Sequence, residues 1–278
     1  MRSVDLMTLY WNTAGIFPVT ADISPYDFRE RVEAAARAGF KGFGIWHTDL
    51  EHILVSRSLQ DMALILSDNG MEYLEVEFIA DWFLEGGRKA EAAARKRRLF
   101  EASAALHAHH VKVGDFYNSP CPMPRLVEAF AALCKEAEDY GATIGYEFMA
   151  SATLNTLQDS LAMVEQAGAT NGGVIADIVH VVSQGISYEE VSRIPLQYLI
   201  SVELNDGTLP GSPHHDPTRA RRFCGEGEFD IRGFINAVRQ TGYTNPWAVE
   251  VFSKELLEWS LDELNAQAFN STMAQFDD

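Results

Sequence analysis

Short apolar runs alternate with longer helical patterns along this chain, and that alternation limits the folds open to it more than any other feature. The strand-like runs cover residues 4–11, 42–47, 72–79, 111–114, 142–148, 173–177, 198–205 and 246–252. Helical patterns follow them. The second of these patterns follows the second strand and ends near residues 69–70, and the others cover residues 24–39, 89–106, 124–140, 156–167, 187–193, 230–241 and 254–276. Repeated strand–helix–strand units predict parallel strands. Eight such units in 278 residues favour a closed (β/α)8 barrel, an α/β fold, over an open doubly wound sheet.

No low-complexity segment, linker-like stretch or block of charge divides the chain, so we expect one barrel domain over residues 1–278. The longest irregular segment, residues 206–228, follows the seventh strand and is rich in Gly and Pro. Loops that follow strands form the catalytic face of such a barrel. We therefore expect this segment to serve function.

The charge balance excludes several classes of partner. Asp and Glu number 40 against 22 Lys and Arg, which gives a formal net charge of -18. A chain this acidic repels polyanions, so nucleic acid and anionic membranes are not expected partners. No apolar stretch reaches the length of about 18 residues that a membrane span needs. The net negative charge also disfavours an endonuclease, because such an enzyme needs a basic face to hold the phosphates of its substrate.

The cysteines and the N-terminus indicate a cytoplasmic protein. Cys121, Cys134 and Cys224 are odd in number and form no Cys-x-x-Cys pair, which is typical of a reducing compartment. Residues 1–11 read as a strand and lack the apolar core and cleavage site of a signal peptide.

Four acidic residues lie at the ends of apolar strand-like runs, each just before a polar loop: Glu147, Asp177, Glu203 and Glu250. Apolar strands normally exclude such residues, because burying an unpaired carboxylate costs several kcal/mol or more. The ends of strands five to eight converge at one mouth of a barrel, so we expect the four to share one cation. Oxygen donors favour Mg²⁺ or Mn²⁺ over Zn²⁺ or copper. The alternative is that each acid pairs with its own Lys or Arg, or faces a helix N-terminus.

Several short strings in the second half of the chain resemble a known family. They are Gly-Tyr-Glu147-Phe, Asp177-x-x-His180, Val-Glu203-Leu-Asn-Asp206, Gly225-Glu-Gly-Glu-Phe-Asp230 and Trp-Ala-Val-Glu250. In this order they are similar to the sugar phosphate isomerase/epimerase superfamily, the xylose-isomerase-like TIM-barrel group. The resemblance extends over nearly the whole chain.

The resemblance implies a divalent metal held by Glu, Asp, His and Glu on strands five to eight. Glu147, Asp177 and Glu250 match three of these positions, whereas Glu203 stands where many relatives have His. An all-carboxylate site favours Mn²⁺ or Mg²⁺, with Co²⁺ and Zn²⁺ as alternatives. Four carboxylates exceed the charge of one dication, so a basic neighbour is expected. The candidates are Lys112, His180 and Arg221.

The resemblance also implies the chemistry. In epimerase relatives the first and last ligating glutamates, here Glu147 and Glu250, remove and return a proton beside a carbonyl through an enediolate. The expected activity is thus an isomerase or epimerase of a sugar, polyol or related hydroxy-ketone. A dehydratase of the inosose or dehydroshikimate type uses the same site and stays open. A barrel subunit without catalysis also stays open, because Glu203 departs from the family pattern.

Five residues are expected to contact this carbohydrate-like substrate. The resemblance implies His180 and Arg221 as substrate contacts, and the basic Lys112 is placed with them. Trp11 and His47 lie at the ends of strands one and two, where aromatic rings line a barrel mouth and stack on a sugar. Related barrels are often dimers or tetramers, so a homo-oligomer is expected by analogy.

Overall fold

Eight parallel strands close into a barrel in the computed structural model, which describes residues 4–18, 20–84, 88–116, 118–213 and 221–277. Each strand pairs with the next, and β1 pairs with β8. The strands are β1 Leu6–Thr8, β2 Gly42–Trp46, β3 Tyr73–Ile79, β4 His110–Val113, β5 Ile144–Glu147, β6 Gly172–Asp177, β7 Leu199–Leu204 and β8 Trp247–Val249. The predicted (β/α)8 fold is therefore confirmed.

Helices connect the strands and surround the barrel. They are α1 Tyr10–Thr13, α2 Phe28–Ala38, α3 His47–Ile53, α4 Leu59–Asp68, α5 Arg88–Leu106, α6 Met123–Glu138, α7 Leu157–Ala167, α8 Ile178–Ser183, α9 Tyr188–Ser192, α10 Ile231–Gln240 and α11 Leu261–Met273. Leu196–Tyr198 and Lys254–Glu258 are 3-10 helices. Among the residues that the structure describes, no helix is both long and apolar enough to cross a bilayer.

Two predicted boundaries in the first unit were wrong. The first strand ends at Thr8, and Trp11 lies in the short helix α1 instead of on the strand. The helix expected from Ser24 begins at Phe28, because Asp27 forms a capping box with Glu30. The Ser24 backbone N–H instead donates to the carboxylate of Asp49.

Two of the long predicted helices are each divided. The one after β2 is α3 followed by α4, and Ser58 caps the start of α4. The helix expected over residues 254–276 is a 3-10 turn followed by α11, which Ser260 caps. Each serine is the N-cap of a capping box with an acidic residue three positions later. This box marks the start of a new helix, whereas the apolar periodicity runs on across it and therefore predicted one long helix.

The barrel interior is polar. Strand side chains alternate between the surrounding helices and the barrel axis. Phe43, Ile45 and Val76 belong to the main hydrophobic core between sheet and helices. The alternate positions on β3 and β4 carry charged or ionisable side chains instead of the branched apolar residues that usually fill a barrel.

A buried ion pair outside the barrel gives a test of this packing. Arg31 on α2 and Asp49 on α3 form an ion pair with each side chain no more than 2 % exposed. Asp49→Asn leaves the guanidinium buried without a counter-charge, so we expect a loss of about 3–5 kcal/mol in the free energy of unfolding. Urea denaturation measures it.

The matched control is Asp262→Asn, because Asp262 pairs with Arg37 at the surface, where both side chains are more than half exposed. Exposed pairs contribute about 0–1 kcal/mol. Equal losses in the two variants would contradict the assignment of a structural role to the buried pair.

Candidate metal centre

Four carboxylates meet at the mouth of the barrel. Glu147, Asp177, Glu203 and Glu250 come from β5, β6, β7 and the residue after β8, and one oxygen of each lies within 4.8 Å of the others. Parallel register brings them level, since Asp177 is paired with Glu203 on the next strand. All four are buried, with 0–5 % of each residue exposed. The structure thus brings together the four residues that the sequence singled out as metal ligands.

Asp177 is oriented by the start of helix α8. Its Oδ1 atom accepts hydrogen bonds from the Val179 backbone N–H at 3.0 Å and from the Asn205 side chain at 2.8 Å. The Oδ2 atom is thereby left to face the other carboxylates. Asp177 as N-cap also fixes the direction of His180, whose Nε2 lies 3.3 Å from Glu147 Oε1. This explains the Asp-x-x-His spacing in the sequence.

Arg221 reaches the cluster from the long loop after β7. Its Nη1 atom lies 2.7 Å from Asp177 Oδ2 and forms a closer contact with Glu250 Oε2. The guanidinium carbon lies 4.6 Å from the centre of the Phe252 ring, an arrangement that favours a cation–π contact. Arg221 is 9 % exposed, so it closes one side of the site.

Asp206 holds the segment that carries this arginine. Its carboxylate accepts hydrogen bonds from four backbone N–H groups, those of Gly207, Gly225, Gly227 and Phe229. A Cβ atom at Gly227 would lie 2.2 Å from the Asp206 carboxylate, so only glycine fits there. Antiparallel backbone bonds between Asp206 and Arg222 complete the anchor. The Gly-Glu-Gly-Glu string is thus a structural cradle, and residues 214–220 of the same loop lie outside the described residues.

Lys112 lies beneath the cluster, inside the barrel. Its Nζ atom is 2.8 Å from Glu203 Oε1 and 3.6 Å from Glu250 Oε1, and its side chain is 1 % exposed. The sequence placed Lys112 among the basic neighbours and the substrate contacts, and the structure places it next to the carboxylates. Two further acids lie beside it, Glu75 and Glu77. Sequence reasoning placed Glu77 on the third strand without a role and did not single out Glu75, although their alternation in an apolar run was a signal.

The cluster carries more negative charge than the described residues neutralise. Six carboxylates surround two permanent cations, Lys112 and Arg221; the acids are Glu75, Glu77, Glu147, Asp177, Glu203 and Glu250. Both oxygens of Glu203 are buried without a hydrogen bond, because Lys112 approaches outside hydrogen-bonding geometry. One oxygen of each of the four proposed ligands lies within 4.8 Å of the others, a separation at which they could hold one small oxygen-binding cation. The residues present therefore fit a divalent cation.

The acid–base properties of these carboxylates differ. Burial raises the pKa of Glu203 well above its ordinary value, against the opposing effect of Lys112. It also raises the pKa of Glu250, against Arg221 and Lys112. For Glu147 burial acts in the same direction, but Lys112 and His180 outweigh it and lower the pKa to about 2.

Aromatic rings form the opposite side of the mouth. Trp46, at the end of β2, lies 5.1 Å from Trp11 and 6.1 Å from Phe78 between ring centres. Phe252 continues the wall at 6.3 Å from Trp11. His47 packs on Trp46 and accepts a hydrogen bond from the Phe78 backbone at its Nδ1 atom. Burial lowers the pKa of His47 to about 3, so it is neutral and offers an N–H at Nε2.

Residues 32–269 match the family model described as xylose isomerase-like TIM barrel. The chain is 30% identical over 235 residues to a 3-dehydroshikimate dehydratase of Pseudomonas aeruginosa, over 81% of this chain and 36% of that protein. It is 25% identical over 150 residues to an inosose isomerase of Bacillus velezensis, over 53% of each. The chain thus spans little more than a third of the dehydratase that it matches. These named relatives are enzymes.

A solved structure supports the fold. The IOLI protein with a bound zinc atom superimposes with a TM-score of 0.85 at 18% identity, over 98% of both chains.

Removal of one charge at the centre of the cluster tests whether it binds a cation. Asp177→Asn keeps an oxygen that caps α8 but removes the charge of the group that faces the other three acids. We expect the variant to fold and to bind Mn²⁺ at least about tenfold more weakly than the wild type. Titration calorimetry measures the affinity, and Asp159→Asn, at an exposed site on α7, is the control. Unchanged affinity would exclude Asp177 as a ligand.

Proposed function

Because the chain belongs to the xylose isomerase-like TIM-barrel family, we propose that its mouth is a divalent-metal-dependent centre that moves a proton beside a carbonyl group. The substrate is a small sugar, polyol or related hydroxy-ketone, and the reaction is an isomerisation or epimerisation. The observation that carries the proposal is the meeting of four carboxylates from successive strands within 4.8 Å of one another.

The cation is held by Glu147, Asp177, Glu203 and Glu250. When bound, it supplies Lewis-acid polarisation of the substrate carbonyl and of the neighbouring hydroxyl group. An all-oxygen set of donors favours Mn²⁺ or Mg²⁺. Co²⁺ and Zn²⁺ are the alternatives, and the zinc of the structurally similar IOLI protein supports the second of these.

The proton is moved by the chain's own carboxylates. Glu147 takes the proton from the carbon next to the carbonyl, and Glu250, protonated at the start, gives its own proton to that carbon or its neighbour. Glu147 is then protonated and Glu250 ionised, and exchange with water restores both. These two side chains come from β5 and the end of β8, three strands apart around the barrel, so they reach a substrate from different directions. His180, 3.3 Å from Glu147, and Arg221, beside Glu250, lie where they would hold substrate oxygens and orient the reacting carbon.

The aromatic side of the mouth serves binding. Trp11 and Trp46 offer apolar faces at the mouth, and a sugar or polyol carries C–H groups that pack on such faces. His47 presents one N–H donor at the edge of this wall. The wall also keeps water from the reacting carbon, which strengthens the electrostatic interactions of the site.

A dehydratase is the second candidate. The similarity to the Pseudomonas dehydratase favours it, since that match is longer and higher in identity than the match to the inosose isomerase. The first step is the same abstraction of a proton by Glu147. In this reaction the C–O bond of a β-hydroxyl group then breaks and a proton goes to the departing oxygen, so water leaves and a double bond remains.

Two conservative variants test the acid–base assignment. Glu147→Gln and Glu250→Gln keep the size of the side chain but remove the group that accepts or donates the proton. We expect each to lower kcat by about 100-fold or more with the fold retained by circular dichroism. Glu165→Gln, at an exposed position on α7, is the matched control. Full activity in either variant would rule out that residue's role.

A substrate screen in heavy water separates the candidates. Keto-sugars and inososes are incubated with the Mn²⁺-loaded protein, and mass spectrometry follows the products. Deuterium at the product carbon identifies isomerisation or epimerisation, and a product lighter by one water molecule identifies dehydration. EDTA is expected to abolish either reaction and Mn²⁺ to restore it. Turnover that is indifferent to EDTA would contradict metal dependence, and no turnover with any substrate would favour a barrel without catalysis.

A further inference from the structure

Lys112 is a buried cation between the proposed metal ligands and a second pair of acids deeper in the barrel. Above it lie Glu203 at 2.8 Å and Glu250 at 3.6 Å, measured from Nζ to the nearest carboxylate oxygen. Below it lie Glu75 at 3.1 Å and Glu77 at 3.3 Å. The closest of the four contacts is the one with Glu203, which belongs to the metal cluster.

The deeper acids fix the lysine in place. Glu75 Oε2 lies 2.6 Å from His110 Nε2, and both side chains are fully buried. Strand register sets Glu75 opposite His110 and Glu77 opposite Lys112 on the neighbouring strand. Lys112 is therefore supported from two sides, and its ammonium group points at the metal cluster as a fixed charge.

The environment keeps Lys112 charged. Burial alone would lower its pKa, but Glu203 and Glu250, with the two deeper acids, raise it well above its ordinary value. The charge on Lys112 is available to orient a carboxylate.

We propose that Lys112 is the positioning residue for Glu203. The ammonium group holds Oε1 and leaves Oε2 to the cation, and the two opposite charges make the pair equivalent to one neutral oxygen ligand. Without this pairing, four carboxylates would surround a divalent ion and leave a buried excess of negative charge. This inference rests on the proposed metal site and explains how a fourth carboxylate is tolerated there.

A double-mutant cycle tests the pairing. Full-length wild type, Lys112→Met, Glu203→Gln and the double variant are titrated with Mn²⁺ by calorimetry and with Co²⁺ by absorption spectroscopy. Glu203→Gln alone leaves the lysine charge unbalanced beside the cation, so affinity falls about 10–100-fold. Lys112→Met alone leaves the carboxylate charge unbalanced but also frees Oε1 to turn away from its position, and because these two effects oppose each other the affinity changes less than about threefold. The double variant regains most of the affinity that Glu203→Gln loses, because both charges are gone.

Two further variants separate positioning from general support of the fold. Glu75→Gln removes the other close partner of Lys112 and is expected to lower the melting temperature in EDTA while changing Mn²⁺ affinity less than about threefold. Lys135→Met, at an exposed lysine paired with Glu138, changes neither property. If Lys112→Met does not fold, Lys112→Gln, which keeps a polar group in the buried position but removes the charge, takes its place in the cycle.

Three results would overturn the inference. The first is independent effects, in which the changes in affinity of the two single variants multiply in the double variant. The second is an equal loss of affinity in Glu75→Gln and Glu203→Gln, and the third is a Co²⁺ spectrum that Glu203→Gln leaves unchanged. A wild type that binds no divalent cation would defeat the proposed function itself. Binding by the wild type with independent effects would defeat the assignment of Lys112 alone.

Discussion

The excess of buried negative charge inside the barrel is the constraint on which the rest of this structure depends. Most barrels fill this space with branched apolar side chains, whereas here β3 and β4 supply acids, a histidine and a lysine. Two permanent cations, Lys112 and Arg221, neutralise only part of that charge. Such a cluster is costly unless something further balances it, and a divalent cation at the mouth fits the donors, the spacing and the charge.

The hydrogen bonds of three neighbouring acids distinguish structural from functional carboxylates. The two carboxylate oxygens of Asp206 accept hydrogen bonds from four backbone N–H groups, and these bonds anchor the loop. Asp177 commits one oxygen to the start of α8 and to Asn205, and leaves the other facing the cluster. Glu203 makes no hydrogen bond with either oxygen, although the Lys112 ammonium lies 2.8 Å from its Oε1 atom. One oxygen each of Asp177 and Glu203 lies within 4.8 Å of the other, close enough to share one metal ion.

Much of the fold was predictable because strand and helix periods differ strongly along the chain. The eight-strand alternation predicted the closed barrel, and the acids at the ends of strands five to eight, which break the apolar pattern, predicted which side chains would meet. Helix starts were less predictable. Asp27, Ser58 and Ser260 cap helices that the apolar pattern placed elsewhere or merged with a neighbour, because periodicity reports which face is buried and not where a backbone N–H is satisfied.

The interior of the site was harder to predict than its rim. Glu75, Glu77 and His110 lie on strands far in sequence from the metal cluster, and only closure of the barrel brings them to Lys112. Asn205 and Asp206 belong to a string that the sequence had already singled out, but their different roles depend on their contacts in the fold. Asn205 donates a hydrogen bond to Asp177, whereas Asp206 accepts hydrogen bonds from backbone N–H groups of the loop. Trp11 was expected on a strand and lies in a helical turn, yet its ring still reaches the mouth, 5.1 Å from Trp46.

The most direct test of the central claim is a crystal structure of the full chain soaked in Mn²⁺, with anomalous diffraction data collected near the manganese edge. We expect one anomalous peak at the mouth, bounded by oxygens of Glu147, Asp177, Glu203 and Glu250, with Lys112 still in contact with Glu203. A barrel without a peak there, in which Lys112 and Arg221 alone hold the carboxylates, would contradict this expectation.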